Sequence, residues 1–467
     1  MNIVKYMIHI CYNFLWGDLI TISLPSGSTL GLSLMVLILV PSGIYFTIRT
    51  GFVLIRFFPE MLRITKEKKA SNDNNSLSGL QALIVSTATR VGMGNLVGVV
   101  AAISAGGAGA VFWMWLIAIL SSSTAFIEAT LAQIYKAKDP LYGGYKGGPA
   151  YYIHALFTRK HPARKRSIIS VLFALSGLIC WAGISQVISN SVSSAFDAAF
   201  GIPPLYSTIA LVALSAVIVL RKKATVKVLD MVVPVMASIY FILTIVIILM
   251  NLPLLPQVFF RIFTEAFGLR QVVAGGFGAV IMNGAKRGLF SNEAGSGSAP
   301  CAAAAADVDH PAKAGLLQAF GVFIDTIVLC TCTAMIILLT PASAAGPLEG
   351  MPLLEAAMAH HLGQFGVIFI AIVLWLFSFS TFLGVLFYAR SNVSYIVGDN
   401  WMSQTIYKII ALVMLFIGGL ATYTFVWDLG DVGIGLMTIF NMIALFPLAG
   451  EALRSLKDYQ QIMKKRN

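Results

Sequence analysis

The amino-acid sequence predicts an all-α polytopic membrane protein with eleven transmembrane helices. Of its 467 residues, 58% are hydrophobic and only 11% are charged, whereas about a quarter of the residues in an ordinary soluble protein are charged. Apolar runs of about 20 residues, the length that crosses a bilayer, recur along most of the chain. Lysine and arginine residues are concentrated in alternate connections between these runs. We therefore expect one transmembrane domain in residues 1–467 and no separate soluble domain.

Each predicted span is an apolar window that charged residues, proline or glycine bound at both ends. Such windows are too long for buried strands and have the length of membrane helices. The eleven windows cover residues 30–48, 80–104, 109–135, 168–196, 205–220, 228–250, 270–290, 314–340, 364–389, 404–424 and 430–452.

The formal net charge of +12 is explained by a membrane rather than by a nucleic-acid partner. Basic residues fill the connections that precede spans two, four, six and eight, and also the C-terminal tail. By the positive-inside rule these segments are cytoplasmic, so the N-terminus lies outside and the C-terminus in the cytoplasm. That orientation requires an odd number of spans, and eleven satisfies it.

Two glycine groups lie five spans apart, in RVGMGNLVG (residues 90–98) of span two and in Gly275–Gly278 of span seven. Glycine weakens a helix, and interrupted helices in corresponding positions of two halves are typical of inverted-repeat transporters. The spacing predicts a 5+5 inverted repeat preceded by one extra helix. We expect an extra helix and cytoplasmic loop, a first repeat, a second repeat and a cytoplasmic tail in residues 1–79, 80–250, 270–452 and 453–467.

A break at Gly92 and Gly94 frees backbone amides and carbonyls that hydrocarbon cannot satisfy. Half-helix N-termini favour a carboxylate and unwound carbonyls favour Na+, so a small amino acid together with Na+ fits both sides of the break. Close packing of helices through small residues explains the same glycines equally well.

Ionisable and hydroxyl residues near the centres of spans are further candidates. Arg90 and Asp325 lie near the middles of spans two and eight, where a charge needs a partner and is by default a functional candidate. The alternative is an ion pair that only holds two helices in register. Span nine contains SFSTFLG, whose clustered hydroxyls (Ser378, Ser380 and Thr381) suit Na+, although such hydroxyls often bond to their own helix instead.

Several longer segments resemble the alanine or glycine:cation symporter family, also called sodium:alanine symporters. The resemblance lies in RVGMGNLVGVVAAISAGGAGAVFWMW, YKGGPAYYI, FIDT and above all KRGLFSNEAGSGSAPCAAAAADVDHPAKAG, and it extends along nearly the whole chain. It implies a fold of the leucine-transporter type and the plasma membrane of a prokaryote, which is the inner membrane in a Gram-negative cell. It also implies uptake of alanine or glycine with Na+ and no other cofactor.

The resemblance also assigns site residues. It places Na+ on the carbonyl groups of Ala88 and Val91 and on the hydroxyl groups of Ser380 and Thr381. The implied substrate-binding residues are Gly92, Gly94, Asn95, Gly276, Phe277, Asn283, Arg90 and Asn190. The SNEAG segment, Ser291 to Gly295, falls at the cytoplasmic end of span seven and is assigned to the inner gate. Ile188 departs from the family, in which a glutamine is common at that position.

The same alignment places Arg90 where a carbonyl group would help to hold a second Na+. We therefore expect its guanidinium to replace that ion, to pair with Asp325 and to leave one Na+ site for coupling. The predicted function is symport of a small neutral amino acid with Na+ by alternating access. The alternatives are a proton-coupled or exchange carrier for another small amino acid, a channel, and a membrane-embedded enzyme. The sequence leaves the oligomeric state open, and a monomer is compatible with it.

Overall fold

The computed structural model is almost entirely helical over the residues that it describes. These residues are 2–23, 29–71, 76–92, 94–159, 166–221, 224–268, 276–341, 348, 350–421 and 423–466. Two short antiparallel hairpins accompany the helices within these ranges. Strands β1 (Ile20–Ser23) and β2 (Thr29–Leu32) pair with Ile20 opposite Leu32, and β3 (Ala137–Lys138) pairs with β4 (Tyr145–Lys146).

The helices of the first half of the chain run up to the connection before span seven. They are α1 (Asn2–Trp16), α2 (Leu34–Thr50), α3 (Val53–Arg56), α4 (Phe58–Ile64), α5 (Gly79–Arg90), α6 (Val99–Gly106), α7 (Gly109–Ile134), α8 (Pro149–Thr158), α9 (Ile168–Phe200), α10 (Pro204–Val219), α11 (Ala224–Met250) and α12 (Leu255–Ala266). A π-helical turn (Gly94–Gly98) precedes α6, and a 3-10 turn (Leu252–Leu254) precedes α12.

The helices described in the second half are α13 (Gly276–Asn292), α14 (Pro300–Ala305), α15 (Pro311–Val322), α16 (Cys330–Leu338), α17 (Met351–Val397), α18 (Trp401–Gly419) and α19 (Tyr423–Arg466). A π-helical segment (Phe323–Leu329) joins α15 to α16. Gly363, with φ of 62°, interrupts α17, so the helix that corresponds to predicted span nine follows this kink.

Within the described ranges, seven helical stretches are long and apolar enough to cross a membrane, and the bent pair α5–α6 brings the number to eight. Helices α2 and α10 are apolar but shorter. All eleven predicted windows overlap a helix, but α13 carries several polar residues and does not pass the same test. A polytopic helical membrane protein is therefore confirmed. The number of eleven spans, the inverted repeat and its division of the chain remain predictions.

The core forms around two long helices. Helix α9 packs against α17, α18 and α19, and helix α7 packs against α2, α13 and α15. Buried side chains on α7 are apolar or small along most of its length, which lets its neighbours approach closely. The broken pair α5–α6 lies among these helices and contacts α11, α13, α15 and α17. Residues near the break are consequently surrounded by protein.

The predicted break in span two is confirmed. Helix α5 begins with a capping box in which Ser78 and Gln81 each accept from the other's backbone amide, at 3.1 and 3.0 Å. It ends at Arg90, because Val91 takes a non-helical ψ of 81°. The two halves of the span are bent by 54° relative to each other. For span seven, residues 269–275 lie outside the described residues, and Gly276 and Gly278 belong to the first turn of α13.

Candidate functional site

Asp325 forms the polar centre of the region around the break. Its side chain is fully buried in the π-helical segment between α15 and α16. The carboxylate accepts from Asn95 Nδ2 at 2.6 Å, from Ser291 Oγ at 3.0 Å and from Thr326 Oγ1 at 2.7 Å. Because these donors come from the broken span, from α13 and from its own segment, Asp325 ties three elements together.

Asn95 links the break to this centre. Its Nδ2 also donates to the Asp325 carbonyl oxygen at 3.0 Å, and its Oδ1 accepts from the Gly92 amide at 3.3 Å. Thr333 of α16 donates to the backbone carbonyl of Asn95 at 2.7 Å. The backbone groups released at Gly92 and Asn95 are thus partly satisfied by side chains, as buried irregular backbone requires.

Arg90 does not make the predicted ion pair with Asp325. The side chain is 1% exposed, and Nη1 donates to the Gln318 carbonyl oxygen at 3.4 Å. A Cβ atom added to Gly321 would lie 2.6 Å from Nη1, so the guanidinium lies against α15 about one turn before Asp325. The prediction identified the correct helix but the wrong contact, because Asn95, Ser291 and Thr326 already surround the Asp325 carboxylate.

Two of the four predicted Na+ ligands are in direct contact. Thr381 Oγ1 donates to the Ala88 carbonyl oxygen at 3.1 Å, which joins α17 to the last turn of α5. Ser380 directly precedes Thr381 in α17 and donates to the Phe377 carbonyl at 2.9 Å. Val91 lies directly after α5, where its carbonyl group leaves the helical direction. Oxygen atoms from α5 and α17 therefore converge beside the break.

A buried cavity of about 30 Å³ lies next to this point. Its polar wall includes Arg90, Gly94, Ser291, Glu293 and Thr381. Its apolar wall comes from α9, α13 and α19 and consists of Ile184, Val187, Ile188, Phe290 and Trp427. SNEAG was predicted to form an inner gate. Ser291, in the last turn of α13, and Glu293, in the turn that follows, also line this cavity beside the broken helix. The buried glutamate in a polar segment was the signal that could have revealed them.

Other predicted substrate ligands lie elsewhere. Asn283 and Asn190 line a second cavity of about 430 Å³ with Arg287 and Gly350. Asn283 donates to the Ala279 carbonyl at 2.9 Å, and Asn190 donates to the Ala421 carbonyl at 2.8 Å. Phe277 packs near Gly268, and Gly276 begins α13. The structure does not bring these four residues together with Gly92, Gly94 and Asn95.

Glu128 of α7 is fully buried. It accepts from the Gly295 amide at 3.3 Å and from Asn441 Nδ2 at 3.0 Å. Asn441 also donates to the Gly295 carbonyl at 2.9 Å and accepts from the Tyr152 hydroxyl. Glu128 therefore holds Gly295, the last residue of SNEAG, against α7, α8 and α19. Among the described residues no cation contacts this carboxylate, which is unusual for a buried acid.

No cluster of three or more His, Cys, Asp or Glu residues suitable for a metal ion occurs in the part of the chain that the structure describes. Between the end of α5 and α17 the available ligands are carbonyl and hydroxyl oxygens. Such neutral oxygen atoms match a hard monovalent cation and do not match the thiolate and imidazole ligands that transition metals prefer.

Comparison with known proteins agrees with the resemblance in the sequence. A profile of the Sodium:alanine symporter family matches residues 20–467. The amino-acid carrier protein AlsT of Bacillus subtilis is 42% identical over 91% of this chain and 89% of its own length. The probable sodium/glutamine symporter GlnT of the same organism is 39% identical over 99% of this chain and 92% of its own length.

A solved structure supports the fold independently. The crystal structure of MhsT in complex with L-phenylalanine matches with a TM-score of 0.55 at 12% identity, and the match covers 82% of this chain and 90% of MhsT. At this identity the likeness concerns the fold alone. The family and the two relatives are transporters rather than enzymes. The agreement of profile, relatives and fold shows that this chain belongs to the sodium:alanine symporter family.

Proposed function

We propose that this protein is a secondary symporter that imports a small neutral amino acid, alanine or glycine or a similar molecule, together with Na+. The observation that carries the proposal is the buried cavity at the break in span two, where Arg90, Gly94 and Ser291 face Thr381. A cavity beside unwound backbone supplies both amide donors and carbonyl acceptors at the centre of the helical bundle. The family name and the relatives' names support amino acids and Na+ as the transported species.

The amino acid binds in the cavity of about 30 Å³. Amide groups around Gly94 and the guanidinium of Arg90 bind the carboxylate, because both present positive charge to a water-excluded site. The isoleucine, valine and aromatic side chains of the opposite wall contact the substrate side chain. In this structure the space is no larger than a few water molecules, so it must widen to admit even alanine or glycine. The relative named as a glutamine symporter leaves a polar substrate as the second candidate.

Na+ binds between α5 and α17. Its proposed ligands are the carbonyl oxygens of Ala88 and Val91 and the hydroxyl oxygens of Ser380 and Thr381. Arg90 contributes a fixed positive charge near the break, and the transport cycle therefore uses one Na+ per amino acid.

We place the protein in the plasma membrane of a prokaryote, with the N-terminus outside and the C-terminus in the cytoplasm. Eleven spans satisfy the distribution of basic residues. The proposal requires no partner protein, and it places no limit on the oligomeric state.

Proton coupling is the second candidate function. The specific observation in its favour is Glu128, a fully buried carboxylate that is bonded to an amide and a carboxamide rather than to a cation. An ionisable residue inside a membrane helix is a candidate for proton transfer. A proton-coupled carrier would accumulate alanine under a pH gradient in the absence of Na+.

The test is uptake of labelled amino acids into proteoliposomes that contain the purified protein. An inward Na+ gradient should drive accumulation of alanine or glycine, and replacement of Na+ by K+ should abolish it. Counterflow of labelled alanine separates a carrier from a channel, because only a carrier exchanges internal for external substrate. Accumulation that follows the pH gradient alone would replace Na+ by a proton, and absence of counterflow would contradict the carrier mechanism.

A further inference from the structure

Arg90 and Glu293 line the same small cavity without forming an ion pair with each other. Arg90 is 1% exposed and Glu293 is 7% exposed. Both residues belong to the wall of the cavity beside Gly94. No ion pair joins them within 4.0 Å among the described residues. A buried guanidinium and a buried carboxyl group thus line one cavity from different elements.

Each of the two side chains has polar atoms that lack a partner. In the described part of the chain, no hydrogen-bond partner reaches Arg90 Nε, Arg90 Nη2 or Glu293 Oε2. Buried polar atoms are nearly always hydrogen-bonded, and orphaned charged atoms are especially unfavourable. Where such atoms border a cavity, a ligand that supplies the missing partners removes the penalty.

The backbone at Glu293 supports a functional reason for its position. Glu293 has a φ of 52°, a left-handed conformation that is uncommon for a residue other than glycine. Only one other non-glycine residue among those described, Phe52, has a positive φ. Strained backbone of this kind clusters at binding sites, where the surrounding structure holds it. In this turn the strained conformation directs a glutamate into the cavity rather than towards solvent.

We infer that Glu293 binds the ammonium group of the transported amino acid while Arg90 binds its carboxylate. The two charges are complementary to a zwitterion, whose opposite charges also lie on one small molecule. The ligand satisfies Arg90 Nε and Nη2 with its two carboxylate oxygens and satisfies Glu293 Oε2 with an ammonium hydrogen. This inference rests on the proposed function and names the groups that recognise the substrate.

The inference also explains selection against molecules that lack either charge. A monocarboxylate would leave Glu293 buried without a counter-charge, and an amine would leave Arg90 in the same condition. A site with buried polar groups rejects analogues that cannot pair with them more strongly than an apolar pocket rejects a change in size. The apolar wall around Ile188 then determines only how large the side chain can be.

A structural role provides a competing explanation. Arg90 and Glu293 are side chains of opposite formal charge that line the same cavity. These charges could serve only to balance one another and to hold the turn after α13 near the broken helix. Removal of the Glu293 charge would then weaken every ligand to the same extent, because it would disturb the whole pocket.

Competition with labelled alanine for the purified, reconstituted protein separates these explanations. The competitors are L-alanine, L-lactate, which replaces the ammonium by a hydroxyl, and L-alaninamide, which replaces the carboxylate by an amide. For E293Q we expect affinity for alanine and alaninamide to fall by about tenfold or more, the magnitude of a charged hydrogen bond, while affinity for lactate is retained. For R90Q we expect the affinities for alanine and lactate to fall, while the affinity for alaninamide is retained.

Two controls keep the test decisive. E355Q makes the same change at another glutamate with a buried unpartnered oxygen, Oε1 of Glu355, outside this cavity, and it should leave all three affinities unchanged. A shift in the melting temperature of E293Q on addition of Na+ alone would show that this variant is folded. If E293Q does not fold, E293D replaces it, and we expect E293D to keep part of the alanine affinity.

Unchanged alanine affinity in E293Q, or an equal loss for alanine and lactate, would overturn the inference. If the wild-type protein binds alanine without Na+-driven uptake, the proposed function fails while the charge assignment stands. If neither analogue competes with labelled alanine for the wild-type protein, the affinities of E293Q and E293D for alanine test the inference. A loss in E293Q that E293D partly restores would support it, and unchanged affinity in E293Q would overturn it.

Discussion

The Thr381 hydroxyl donates to the Ala88 carbonyl oxygen at 3.1 Å and so joins α17 to the last turn before the break in span two. A carbonyl at the end of a helix lacks its usual amide partner and needs another donor or a cation. In this structure the threonine supplies that donor. Na+ bound at the same point would turn the two oxygens from a donor and acceptor into two ligands of one ion.

Substitution of Ser380 and Thr381 by alanine should weaken Na+ activation before it changes the choice of amino acid. Each lost hydroxyl removes an oxygen ligand, and we expect the Na+ concentration for half-maximal uptake to rise by about tenfold, or about 1.4 kcal/mol. Uptake measured over a range of Na+ concentrations checks this effect. The control is T381S, which keeps the hydroxyl and should behave like the wild type. An unchanged Na+ dependence in the double variant would exclude this site.

Gly92 should not tolerate a methyl group. A Cβ atom at this position would collide with Thr381 Oγ1, because the break brings the backbone directly against α17. We expect G92A to lose uptake and Na+ stabilisation together. The matched control is G98A in the π-helical turn of the same span, where nothing lies within 4 Å of an added Cβ. If G98A is as defective as G92A, loss of glycine flexibility rather than the collision is responsible.

The sequence predicted the break and the helices around it more reliably than the contacts within the site. Glycine spacing, charge and hydropathy are local properties, so RVGMGNLVG identified the break. The pairing of Thr381 with Ala88 was instead implied by the family resemblance, and the two residues are in contact. The partner of Asp325 depends instead on how three helices meet. Arg90 was the obvious counter-charge in the sequence. Asn95, Ser291 and Thr326 are common polar residues, and only the packing of the helices shows that they contact Asp325. Likewise Glu293 reaches the cavity through a turn with positive φ that its sequence does not indicate.

The contact between Asn95 and Asp325 permits a charge-exchange test. In N95D two carboxylates would stand where Asn95 Nδ2 and Asp325 Oδ1 are now 2.6 Å apart, and like charges at this distance cannot both ionise. We expect N95D to lower the melting temperature and to abolish uptake.

The double variant N95D/D325N restores one amide and one carboxylate at the same distance. Its new carboxamide can donate to residue 95 and accept from Ser291 and Thr326, which now donate to Asp325. The double variant should therefore be more stable than N95D, although it loses the bond from Asn95 to the Asp325 carbonyl. A melting temperature equal to or below that of N95D would contradict the importance of this contact.

Ile188 should limit the size of the substrate. Its side chain is fully buried and lines the apolar wall of the cavity. Replacement by alanine removes three carbon atoms and enlarges a space of about 30 Å³, so I188A should be inhibited by larger neutral amino acids such as valine that do not compete in the wild type. The control is I179A, the same change on the outer face of α9, where Ile179 is 52% exposed. Competition by valine in both variants would place the size limit elsewhere.

An ionic cluster around Glu60 should make stability depend on pH. Glu60 in α4 accepts from Arg63 Nε at 2.9 Å, from Arg466 Nη2 at 2.8 Å and from the Tyr459 hydroxyl at 2.5 Å. Burial raises the pKa of Glu60, but the hydrogen bonds from Arg63, Arg466 and Tyr459 outweigh it and hold the pKa well below its ordinary value. The ionised carboxylate thus anchors the end of α19 to the segment that follows span one.

Because the pKa of Glu60 is lower in the folded than in the unfolded protein, its contribution to stability is present above the unfolded pKa of about 4.3 and is lost as the pH falls below it. The melting temperature of E60Q should therefore be lower than that of the wild type by a constant amount between about pH 6 and pH 8. The difference should shrink on acidification below about pH 4. Scans of the wild type and E60Q across this range, with E67Q as a control in the more exposed part of the same cluster, measure the effect. A difference that grows on acidification would mean that Glu60 is protonated in the folded protein and that the arginine contacts do not stabilise it.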